Sequence, residues 1–139
     1  MTKLIALLAL LFAAAAPAPE IIAKPVPFAP NQVENHFRAP LWEKGPGHRG
    51  IDIAIKSSNP IVAPFDGTVF FTGEVVDRQV VTLISASGLK ASFEPVCGFQ
   101  PVGTRVSKRQ SIGVLCVLET DYEMHCESCL HFSLRNTYG

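Results

Sequence analysis

The amino-acid sequence predicts an all-β domain, and three observations carry that expectation. Past residue 50 the apolar residues fall in short runs rich in Val, Ile, Thr and Phe, each closed by a turn signal. Beyond the first eighteen residues, no segment sustains the 3.6-residue apolar period of an amphipathic helix. Six prolines between Pro17 and Pro40 exclude a helix there, since each fixes φ and removes a backbone donor.

Taken in order, the chain opens on Lys3 and the apolar run Leu4 to Phe12, followed by the small residues Ala13 to Ala18. This is the layout of a secretory leader, and the run is short for a spanning helix. Residues 1–18 are expected to be a signal peptide cut after Ala15, because the later alanines precede Pro17 or Pro19. Retention as an N-terminal anchor is the alternative. Residues 19–40 read as a Pro-rich extended arm, which Leu41 and Trp42 pack onto the edge of a domain over 41–139. Within it the strand runs are Ile51–Ile55, Ile61–Ala63, Thr68–Phe71 after the Asp66-Gly67 turn, and Val80–Ile84. Leu89–Val96, Arg105-Val106, Ser111–Val117 and Leu130–Leu134 complete the set.

Composition narrows the function. Lys+Arg and Asp+Glu both total 12, and the basic residues are scattered. That leaves no electrostatic footprint for nucleic acid or for an anionic membrane surface, and no stable membrane insertion is expected once the leader is removed. About 120 residues remain, the size of one compact domain, so a metal is not needed as a folding aid. All four cysteines (Cys97, Cys116, Cys126, Cys129) follow the leader. In an oxidising compartment they suggest two disulfides out of three connectivities. Cys97–Cys116 flanks one hairpin-like segment and Cys126–Cys129 is the local pair. A zinc-binding or redox-active Cys126-Glu127-Ser128-Cys129 is the other reading. No cysteine lies near the N-terminus to accept a lipid.

The chemistry concentrates in Gly47-His48-Arg49-Gly50-Ile51-Asp52 and in Cys129-Leu130-His131. His48 and Asp52 are an even number apart and would share one face of a strand. With the distant His131 they make three N/O ligands, the donor set of a catalytic zinc that keeps one position open. Each histidine alone would more often be an ordinary half-buried side chain. A carrier domain is a weaker reading of the Val102-Gly103 and Ile112-Gly113 hairpin pattern, because no Lys sits at the expected turn tip.

The run His48 to Ala54, then Pro60 to Val69, then Pro101 to Gly113, then Leu130-His131-Phe132 resembles the lysostaphin/LytM-type zinc metallopeptidase domain. The resemblance covers about Phe37 to Arg135. It implies an antiparallel β-sheet or sandwich of duplicated hybrid-motif type with a groove across the sheet. It also implies hydrolysis of stem or cross-bridge peptides of bacterial peptidoglycan by a secreted, wall-associated protein, with His48, Asp52 and His131 as the zinc ligands. Zinc in such a site polarises the scissile carbonyl and activates water.

Two departures from that family matter. The family's further catalytic histidines fall at Cys129, in what would be an H-x-H pair, and at Pro95. Proline offers no acid, base or donor, and Cys129 could act only as a free thiol, which could instead close the fourth zinc position. Glu94 and His125 are the substitutes that sequence offers as a base. Ser92-Phe93-Glu94-Pro95-Val96 and Cys129-Leu130-His131 resemble an exported sub-group reading E-P-V and C-L-H. The competing reading is a non-catalytic module that binds wall or activates another wall hydrolase.

Overall fold

The computed structural model describes residues 20–98, 100–116 and 128–136. Among the described residues a 3-10 turn at Pro30–Gln32 is followed by ten strands in chain order. They are β1 (Val33–Asn35), β2 (Ile51–Ala54), β3 (Pro60–Val62), β4 (Gly67–Val75), β5 (Arg78–Ser85), β6 (Lys90–Glu94), β7 (Val96–Cys97), β8 (Arg105–Val106), β9 (Ser111–Leu115) and β10 (Cys129–Arg135). Seven form one sheet in the order β1-β2-β10-β6-β5-β4-β8, and three form a second, β3-β9-β7. Every pairing is antiparallel. The expected all-β class is the one observed.

Alternation of side chains decides which face is buried. On the large sheet Ile53, Val69, Val81, Leu83, Ala91, Phe93, Leu130 and Phe132 turn inward. Ile61, Val96, Ile112 and Leu115 of the small sheet join them in one apolar cluster. Phe93 is fully buried, its ring centroid 5.3 Å from that of Phe132. Burial of such a ring is worth about 1.5–3 kcal/mol. Residues one step out of phase, Asp52, Ser92, Glu94, His131 and Ser133, therefore lie on the opposite, open face.

Two boundaries differ from the sequence expectation for identifiable reasons. The run Leu89–Val96 divides at Pro95, with β6 in the large sheet and β7 in the small one. Proline lacks the N–H a continuing ladder would need, so the chain changes sheets there. The β4–β5 hairpin extends past both expected runs and closes at Val76-Asp77, where Val76 has φ 63°. A β-branched residue in the left-handed region is the opposite of an Asn-Gly turn signal.

The Pro-rich segment is extended but not detached. Val62 N–H donates to the Pro25 carbonyl at 2.8 Å and Ala23 N–H to that of Pro64 at 2.7 Å. Val26 is buried in the core, and β1 forms the edge of the large sheet beside β2. The expected leader, residues 1–18, lies outside the described residues.

Cys97, in β7, is disulfide-bonded to Cys116 just past β9, as expected from the sequence. Cys129 is disulfide-bonded too, and its expected partner Cys126 lies outside the described residues. Closing a loop across a separation of 19 residues restricts the unfolded chain by about 3 kcal/mol. The double substitution Cys97→Ala with Cys116→Ala should lower unfolding stability by that order in a urea titration, leaving the folded β-type circular dichroism unchanged.

Candidate metal centre

Strand register brings the site together. Asn35 of β1 pairs with Asp52 of β2, Asp52 with His131 of β10, and His131 with Glu94 of β6. Four polar residues thus form one lateral row across four adjacent strands of the open face. His48 joins from outside the ladder. It stands two residues ahead of Gly50 in an isolated bridge with Arg38, each N–H donating to the other's carbonyl at 2.9 Å. Strand alternation is therefore not what aligns His48 with Asp52. The chain bends at Gly50 and swings the imidazole back over the row.

The ligand atoms converge. His131 Nδ1 lies 2.7 Å from Asp52 Oδ1, and His48 Nε2 lies 3.2 Å from the same oxygen and 3.1 Å from His131 Nδ1. Tetrahedral zinc with bonds of about 2.0–2.1 Å separates its ligand atoms by about 3.3 Å. Two of the three separations are within about 0.2 Å of this, and the third, at 2.7 Å, needs to open by about 0.6 Å. These three residues could hold a metal ion, by geometry as well as by donor type.

Outer contacts fix the orientation of the ligands. His48 Nδ1 donates to the His36 carbonyl at 2.8 Å, which leaves the Nε2 lone pair facing the cluster. Asn35 Nδ2 donates to the second Asp52 oxygen at 3.2 Å. Burial of Asp52 raises its pKa. The hydrogen bonds from His131 and Asn35 and the charges of the two imidazoles outweigh that, holding the carboxyl below its usual range. Asp52 is thus held as a carboxylate.

Gly50 is a further constraint. A Cβ there would stand 2.5 Å from the Phe132 carbonyl oxygen and 2.6 Å from His131 Nε2. The His131 ring therefore lies where any side chain at residue 50 would stand. Asn35, His36 and Gly50 are contributions the sequence reading did not assign. Only the Gly between the two ligands was a visible signal.

The other predicted residues separate. Glu94 sits at the end of the row, its Oε1 4.0 Å from His131 Nε2 and 3.5 Å from Arg78 Nη1. It faces the nitrogen turned away from the cluster. Cys129 shares the open face with His131, two residues away, but its disulfide rules out the free thiolate considered as a fourth ligand. The same bond sets aside a zinc-binding role for Cys129 in this state. Pro95 occupies the corner after β6. His125, the other candidate base, lies outside the described residues.

The profile of Peptidase family M23 matches residues 46–139. The chain belongs to this family. The M23 assignment agrees with the LytM-type fold. Over 103 residues the chain is 36% identical to the uncharacterized protein Rv2891 of Mycobacterium tuberculosis, a stretch covering 74% of this chain and 41% of that protein. The chain thus matches about two-fifths of its relative's length. Among solved structures, a zinc containing peptidase from Vibrio cholerae superposes with TM-score 0.60 and 18% identity over 83% of this chain and 37% of that one. A chain of the SpoIIIAH–SpoIIQ complex superposes with TM-score 0.63 and 23% identity over 83% and 92% respectively. At these identities the superpositions speak for the fold.

Replacing Gly50 by Ala should displace the His131 ring and weaken zinc binding by at least about tenfold, a misplaced ligand costing on the order of 1.4 kcal/mol or more. Competition with a chromophoric chelator measures this, and an unaltered zinc affinity in folded Gly50→Ala protein would contradict the crowding argument.

Proposed function

We propose that this M23 domain is an exported, zinc-dependent endopeptidase of bacterial peptidoglycan peptides. The observation that carries the reading is the convergence of His48 Nε2, Asp52 Oδ1 and His131 Nδ1 at close to tetrahedral zinc spacing. His48, Asp52 and His131 would hold the ion and leave a position open to the exposed sheet face. When bound, zinc would polarise a peptide carbonyl and activate water for attack on it.

The chain's own residues supply the rest. Asp52 keeps its charge against burial, His48 is oriented from the His36 carbonyl, and Asn35 restrains the carboxylate. Beyond His131 the open face continues into the hydroxyls of Ser133 and Ser92, which pair across β10 and β6. An extended stem or cross-bridge peptide could lie there and find hydrogen-bond partners. Export is supported by the leader-like residues 1–18 and by the disulfides, which persist in an oxidising compartment. Together with the family assignment they favour a secreted, wall-associated protein.

A second reading is favoured by one specific pair of observations. The positions where the active family carries two more histidines hold Pro95 and the disulfide-bonded Cys129, neither of which can move a proton. Loss of such groups typically costs about 10² to 10⁴ in rate. Without a substitute, the domain would bind wall peptides or a partner hydrolase instead of cleaving. The fold shared with a chain of the SpoIIIAH–SpoIIQ complex is compatible with a protein-binding role.

Incubating the oxidised, zinc-loaded chain with cross-linked peptidoglycan should release new peptide ends detectable by mass spectrometry. The signal should fall to background in His131→Ala and with a chelator. Folded, metal-loaded protein that yields no products but binds purified wall material would instead favour the binding or activating role.

A further inference from the structure

We propose that Glu94 is a positioning residue for the metal ligand His131 and not the base of the reaction. The inference rests on the reading that the site takes zinc, and it concerns how this chain holds one ligand.

Each ligand of a well-built metal site needs an outer partner. Two are already in place, the His36 carbonyl on His48 Nδ1 and the Asn35 amide on Asp52 Oδ2. His131 presents Nδ1 to the cluster, so with a metal bound there its single proton resides on Nε2. The carboxylate facing that Nε2 is Glu94, whose Oε1 lies 4.0 Å away. That is a charge contact and not yet a hydrogen bond. Closing it needs a shift of about 1 Å, within reach of a Glu side chain changing rotamer.

The lateral arrangement supports this role. Glu94 is the direct cross-strand neighbour of His131, on the side opposite Asp52. The imidazole is therefore flanked by one carboxylate on each of its nitrogens. Arg78 reaches across from β5 and lies 3.5 Å from the same Glu94 oxygen, which keeps a cation beside the carboxylate. Gly50 packs beneath the same nitrogen, since its Cβ position lies 2.6 Å from Nε2. The ring is thus confined from two sides.

A base and a positioning residue make different predictions. The test compares the full oxidised chain with its Glu94→Ala and Glu94→Gln variants, each checked for intact fold by thermal unfolding without metal. The readouts are the zinc dissociation constant, from chelator competition, and the visible d–d spectrum of the cobalt(II)-loaded protein. Positioning predicts a 10- to 100-fold weaker zinc affinity for Glu94→Ala and an altered cobalt spectrum. Glu94→Gln keeps an acceptor oxygen in the same place and should recover most of both. Wild-type affinity and spectrum in Glu94→Ala would overturn the proposal while leaving the zinc site standing. A wild-type chain that takes up no zinc would overturn the proposal together with the functional reading beneath it.

Discussion

The register of β10 between β2 and β6 is the constraint on which the site depends. His131 pairs with Asp52 on one side and with Glu94 on the other, so a single strand aligns three polar residues in one row. The same register sends Leu130 and Phe132 into the core. A slip by one residue would bury the imidazole and expose two large apolar side chains, at a cost of several kcal/mol. Core packing therefore enforces the register, and the register delivers the ligand geometry with no separate device. The disulfide on Cys129 adds a covalent restraint at the start of that strand.

Much of this was readable from residue pattern. Period-2 alternation fixes which residues of β5, β6 and β10 point inward, and it places Asp52, Glu94 and His131 outward without knowledge of the strand order. The three candidate ligands were named from donor type and from the motif blocks, and the structure brings them together. The strand order and the outer contacts were not readable. That β10 lies between β2 and β6 is a long-range pairing with no local signature. Asn35 and His36 sit in a segment whose prolines advertise an arm, and one of them contributes only a backbone carbonyl. Nothing in composition signals that contribution. The Val76 turn was hidden for a different reason, since local propensity argues against the conformation the hairpin adopts.

The candidate site has the donor set of a metal centre, and the residues beside it depart from those the family resemblance implies. Proline at residue 95 does two structural jobs, ending β6 and passing the chain to the second sheet, at a place where the active family carries a histidine. Cys129 likewise exchanges a proton-handling group for a cross-link. Both changes put a rigid element, in place of a proton-handling group, beside the candidate ligand trio. Such a site resembles a preorganised receptor for an electron-rich group as much as it resembles a hydrolytic centre, and the two roles share the same first requirement, a well-held ion.

The position of β1 has one more consequence. The family match begins at residue 46, but the groups that orient two of the three ligands come from Asn35 and His36. A fragment cut at the family border would carry every ligand and still be missing the scaffold that aims them. The evolutionary unit and the working unit of this protein do not coincide. A stretch that reads in the sequence as a Pro-rich arm belongs, by its contacts, to the candidate metal centre.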